Sequence, residues 1–115
     1  NTELNRILNE EADILVGNLI FTGYANTEIE GLASGLPTIA NLENQDYIKP
    51  LRRWSYFEEC PIVSGSPETL EDVLRRLITS PSLRKKLGKE ANDRLLKYHT
   101  PEITGKQFRE LINSI

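Results

Sequence analysis

Apolar positions along the chain change their spacing several times, and most changes fall beside a capping residue. Three hydroxyl–proline pairs, Ser66-Pro67, Ser80-Pro81 and Thr100-Pro101, each predict a helix start. The hydroxyl accepts a bond from an orphan amide, and proline at the first helical position has no amide to leave unpaired. The helix predicted over 67–79 carries Leu70, Val73, Leu74, Leu77 and Ile78 on one stripe. The next, over 81–97, carries Leu83, Leu87, Ala91 and Leu95, and the last, over 101–114, carries Phe108, Leu111, Ile112 and Ile115. These three read as packing elements without chemistry of their own.

The first half alternates helix and strand. Thr2 can cap a helix over 3–11, with Leu4, Ile7 and Leu8 on one face. The run Asp13-Ile14-Leu15-Val16-Gly17 suits a short buried strand. A polar loop runs from Asn18 to Asn26, and Thr27-x-x-Glu30 fits a capping box that opens a helix over 28–34. Gly35 ends that helix, and Pro37 prevents its return. Thr38-Ile39-Ala40 reads as a second strand and Pro61-Ile62-Val63-Ser64 as a third, with a long loop from Asn41 to Cys60 that holds at most one helical turn. Helix, strand, loop, helix, strand is α/β order, with parallel strands joined by right-handed crossovers.

Two or three strands are few for a covered parallel sheet. Further strands are therefore expected before Asn1, and the absence of any methionine points the same way. Residues 1–115 read as one partial domain. With 38% hydrophobic and 27% charged residues and a net charge of −3, the composition is that of an ordinary globular chain. It gives no electrostatic case for nucleic acid as a partner. The single cysteine, Cys60, cannot form an internal disulfide, and no apolar run reaches membrane-spanning length, so the cytoplasm is the default expectation.

In open α/β sheets, ligands bind beyond the carboxyl ends of the strands, beside helix N-termini. Here that is Asn18–Thr27, with Asn41–Asn44 as the second candidate. Gly17, Gly23 and Ala25 leave room for a ligand to approach the backbone, and the helix starting near Thr27 aims free amides and its positive dipole end at that space, which suits a diphosphate.

The run Glu30-Gly31-Leu32-Ala33-Ser34-Gly35-Leu36-Pro37-Thr38-Ile39-Ala40 resembles the signature of GT-B-fold glycosyltransferases of the large retaining family that includes sucrose and glycogen synthases. Ala12-Asp13-Ile14, Ser66-Pro67-Glu68-Thr69-Leu70, Ser80-Pro81-Ser82-Leu83-Arg84 and Leu87-Gly88 resemble its flanking motifs, in the same order over residues 4–100. The resemblance implies a Rossmann-like C-terminal donor domain of a hexosyltransferase active in polysaccharide biosynthesis. It implies a UDP- or GDP-sugar donor, a glycan or lipid-linked acceptor and a separate N-terminal domain. The family's phosphate-binding arginine and lysine lie upstream of this segment.

That family carries two glutamates eight positions apart. The second, which contacts the ribose, corresponds to Glu30; the first, which contacts the transferred sugar, corresponds to Thr22. Thr22-Gly23-Tyr24-Ala25-Asn26 keeps the length of the family's loop and resembles a polysaccharide-type branch with a small residue first and a tyrosine two later. The implied donor site is therefore Thr22, Gly23, Tyr24, Ala25, Asn26, Thr27 and Glu30, with no catalytic residue assigned, no cofactor and no metal.

Each of these residues also has a plainer role. Glu30 fits the third position of the capping box, and Tyr24 can equally pack beneath its loop or touch a base. Glu28 stands about 200° from Glu30 around a helix, so only one of the two can face a ligand. Lys49, Arg52 and Arg53 read as a solvated loop, and His99 as a helix-end residue. Arg84, Lys85, Lys86, Lys89 and Lys97 could meet an anionic membrane surface, but Glu90 and Asp93 dilute their charge. Two other readings stay open: a receiver-like binding module, against which Asp13 begins a strand instead of ending one, and a sugar-nucleotide epimerase of the same architecture.

Overall fold

A computed structural model describes residues 2–54 and 61–115, with side chains from 50 to 54 left out of account. Tyr56, Phe57, Glu58, Glu59 and Cys60 lie outside the described residues. The elements run α1 (Thr2–Glu10), β1 (Leu15–Val16), α2 (Asn26–Ala33), β2 (Thr38–Ala40), α3 (Gln45–Trp54), β3 (Val63–Ser64), α4 (Leu70–Thr79), α5 (Pro81–Tyr98) and α6 (Pro101–Ser114). The three strands form one sheet in the order β1-β2-β3. Both pairings are parallel, Leu15 opposite Thr38 and Ile39 opposite Val63. The α/β expectation therefore holds in its coarse form, with α2 as the connection between β1 and β2.

The core forms on the two faces of β2. Leu32, Ala40, Ile62 and Ala91 join on one side, and Ile39, Val73 and Leu77 on the other. Because successive strand residues point to opposite faces, Ile39 and Ala40 each anchor one cluster while both are fully buried. The helix α5 lies directly against the end of α2. A Cβ at Gly88 would fall 2.1 Å from the Gly35 carbonyl oxygen, so only glycine allows the two backbones to come this close. Gly35 itself has φ 70 and ends α2 as expected: its amide donates to Leu32 O and the Leu36 amide to Gly31 O, the paired bonds of a Schellman turn.

Two of the three hydroxyl–proline starts form where expected. Ser80 Oγ accepts from the Leu83 amide, and Thr100 Oγ1 from the Ile103 amide. The third does not. Ser66 and Pro67 lie in a turn, where the Ser66 amide donates to Thr69 Oγ1 at 2.9 Å, and α4 begins only at Leu70. Thr69 competes for the same local bonds and delays the helix by a few residues.

Residues 41–54, the described part of the long loop expected over 41–60, are not all loop. They contain α3, whose start is held by Asn44 Oδ1 accepting from the Asp46 amide at 3.0 Å and whose Ile48 is 2% exposed. Pro50 inside this helix removes one amide donor and masks the signal. The α6 stripe is a further correction. Phe108, Leu111 and Ile112 are exposed, and α6 has no buried residue. Arg84, considered above for an anionic surface, instead donates to the carbonyls of Leu77 and Ile78 at the end of α4, at 2.7 and 2.8 Å. No helix among the described residues is long and apolar enough to cross a membrane.

Candidate functional site

The loop between β1 and α2 crosses the carboxyl edge of the sheet, as the sequence leads one to expect. It is fastened at both ends by one carboxylate. Glu28 Oε1 accepts from the Asn18 amide at 2.7 Å and Oε2 from the Ala25 amide at 2.8 Å, with the residue 2% exposed. This corrects the capping box. The N-cap is Ala25 and the third helical residue is Glu28, so Thr27 lies inside the first turn and Glu30 has no capping role. Alanine has no side-chain acceptor, so only the reciprocal half of a box forms, through the glutamate.

The space at Gly17 is likewise used internally. A Cβ there would stand 2.1 Å from Glu28 Oε1, so the glycine admits this carboxylate and not an external ligand. The negative charge lies at the positive end of α2, where the dipole favours it. Two edge amides are therefore already satisfied from within.

Asn41, just after β2, ties the loop down from the other side. Its Nδ2 donates to Leu19 O at 2.7 Å, and its carbonyl accepts from the Gly23 amide at 2.8 Å. Thr22 bridges the two loops: Oγ1 donates to Asn41 Oδ1 at 3.3 Å and accepts from the Asn44 amide at 3.2 Å. At the position where the resembled family places its sugar-contacting glutamate, this chain has a hydroxyl occupied twice within its own backbone frame. Gly23 takes φ 133, a conformation open to glycine, to pass beneath Asn41.

Of the other expected site residues, Tyr24 packs inward. It lies against the cluster of Leu32, Ala40, Ile62 and Ala91, with its ring edge-on to His99 at 6.3 Å. This contact joins the loop to the end of α5, and desolvation pushes the His99 imidazole below its usual value of 6.5. Ala25, Asn26, Thr27 and Glu30 are exposed. The amides of Asn26 and Thr27 have no acceptor within their own helix, as for any first turn. Asn26 and Glu30 stand four residues apart on one helix face. Glu30 makes no side-chain hydrogen bond or ion pair among the described residues. The pair Glu28 and Glu30 thus divides as helix geometry requires, one turned to the protein and one to solvent.

Two features escaped the pattern reading. One is the buried pair of Glu28 and Asn41, whose partners lie up to 22 residues away. The other is a cleft of about 230 Å³ lined by Ile20, Phe21, Thr22, Asn44 and Tyr47. The spacing of Asn18 before Ile20-Phe21 was a usable signal, since asparagine turns often present the next residues outward.

Among the described residues no group of three His, Cys, Asp or Glu side chains could hold a metal ion. Asp13 lies before β1, at the opposite edge of the sheet from the loops. No protein-family model, curated protein or solved structure matches the chain.

Proposed function

We propose that this chain supplies the donor-nucleotide half-site of a glycosyltransferase with GT-B architecture, acting on a UDP- or GDP-sugar. The observation that carries the proposal is the exposed face of α2. There Glu30, free of structural duty, stands one turn beyond the open Asn26 and Thr27 amides at the carboxyl edge of a parallel sheet. The Glu30 carboxylate can accept two bonds from a ribose, each strengthened by its charge. The amides can hold the diphosphate. As the bond between the anomeric carbon and the diphosphate oxygen breaks, negative charge grows on that oxygen, and donors already in place stabilise it.

The buried Glu28 carboxylate opposes an anion in the same space, so the two open amides alone give weak phosphate binding. In the resembled family an arginine and a lysine from upstream supply the opposite charge. The acceptor, polysaccharide or lipid-linked, belongs to the same proposal. Amide-detected magnetic resonance with UDP and with GDP tests it directly. Shifts centred on Asn26, Thr27 and Glu30 are expected, and an unchanged spectrum with both nucleotides defeats the reading.

A further inference from the structure

Helix α6 leaves Phe108 62% exposed, Leu111 59% and Ile112 65%. These are not the residues that join the helix to the rest of the protein. Ile103 is the one α6 residue that is not exposed, and it lies about 140° around the helix from Phe108. The apolar stripe therefore points away from the contact with α5. Exposed apolar residues scattered singly are ordinary, but a continuous row of them marks an interaction surface.

The same stripe holds Gly105, three residues before Phe108. A Cβ at Gly105 would meet nothing within 4 Å, so no contact inside the chain requires a glycine there. Glycine weakens a helix interior. What it leaves on this face is a notch, of a kind that an incoming aromatic ring can fill.

The charges of α6 select both the occupant and its direction. Lys106 and Glu110 pair with each other at 3.8 Å on the side of the helix away from the stripe. Glu102 and Arg109 make no side-chain hydrogen bond or ion pair among the described residues. Both flank the stripe on one side, about 120° and 100° from Phe108. Two helices packed antiparallel bring like flanks together. With Phe108 of each copy over Gly105 of the other, Arg109 of each reaches Glu102 of the other, and Ile112 meets Pro101. Parallel packing would set this charged flank against the neutral one of Gln107 and Ser114. With two acids and two bases, α6 also has no net charge to draw it to an anionic membrane.

We propose that the Phe108–Leu111–Ile112 face of α6 is a homodimer interface, with two copies antiparallel and Phe108 of each seated on Gly105 of the other. It rests on α6 alone and is independent of the nucleotide reading. Covering these side chains on both copies removes roughly 1,000 Å² from solvent, the range of weak, reversible complexes.

Sedimentation velocity of the chain over a range of concentrations tests the proposal. A monomer–dimer equilibrium with a Kd on the order of 10–100 µM is expected. Phe108→Asp should weaken it by more than about tenfold, since the interface would bury an unpaired carboxylate. Gly105→Ala fills the notch and should weaken it by about tenfold, the scale of overpacking. Its melting temperature, measured at a dilution where the chain is monomeric, should stay level or rise, because alanine favours the helix. Arg109→Glu should weaken association by about threefold, the scale of an exposed ion pair, and adding Glu102→Arg should restore it. All four positions are exposed, so an unchanged amide spectrum outside α6 certifies each variant's fold.

A sedimentation coefficient that stays at the monomer value throughout overturns the proposal. So does association that survives Phe108→Asp, which would place the contact on another surface. Association that Gly105→Ala leaves unchanged or tightens, or that the double charge exchange fails to restore, overturns the antiparallel seat. Binding to neutral lipid vesicles that Phe108→Asp abolishes, without association in solution, would assign the stripe to a membrane and overturn the dimer as well.

Discussion

Glu28 occupies the space that Gly17 leaves by having no side chain, and from there its two carboxylate oxygens take one amide from each end of the β1–α2 loop. Replacing Glu28 by alanine leaves the Asn18 and Ala25 amides without their acceptors in a part-buried setting. The expected loss is about 1–3 kcal/mol of stability, the cost of stranding such groups. Denaturant unfolding measures it, and faster hydrogen exchange at Asn18 and Ala25 locates it. Unchanged exchange at both amides would show that the loop is held some other way.

Gly88 is the second position where one added methyl group matters. Its Cβ would meet the Gly35 carbonyl, part of the backbone that ends α2, and neither partner is a flexible side chain. Gly88→Ala favours the helix locally but separates α5 from α2. A net loss of roughly 1–3 kcal/mol is expected, the usual scale for overpacking. A melting temperature at or above that of the parent chain contradicts the close approach.

Glu30 now separates stability from binding more cleanly than its sequence position suggested. It is exposed, has no cap to hold and makes no ion pair among the described residues, so Glu30→Gln should alter stability by less than about 0.5 kcal/mol. If it binds ribose, UDP affinity falls by about 1.5–3 kcal/mol, the scale of a hydrogen bond to a charged group. Calorimetric titration beside a thermal melt reads both quantities. Equal UDP affinity in the two proteins removes Glu30 from the site.

His99 makes the loop sensitive to acid. Its folded value is lowered by desolvation, so near pH 6.5 the unfolded chain binds more protons than the folded one. Stability is therefore full above the unfolded value and declines as pH falls through it toward the lowered folded value. His99→Gln should flatten that part of the profile. Because the Tyr24 ring lies edge-on to His99, its resonances should titrate together with the imidazole. A Tyr24 signal that stays constant across this window would refute the coupling.

At several places where the choice was made by atoms a few residues apart, the sequence was sufficient. Ser80 and Thr100 cap the helices that follow them, Gly35 closes α2 at its expected place, and Thr38–Ala40 is the middle strand of a parallel sheet. Each follows from short-range chemistry: a hydroxyl beside a proline, a glycine in the left-handed region, a short apolar run. The α/β order followed from the alternation of those elements.

Tertiary structure decided the rest, because local patterns allowed more than one answer. Thr27-x-x-Glu30 fits a capping box by its residues, yet Glu28 takes the third helical position because the loop ends at Ala25. Asn41, 22 residues from Leu19, sets that end. The α3 segment, with Pro50 in its interior, folds where Ile48 can enter the core. The α6 stripe is as regular as that of α4, yet Phe108 and Leu111 remain exposed while Val73 and Leu77 are buried. Periodicity shows that a helix has an apolar face; only the arrangement of the other elements determines whether anything covers it.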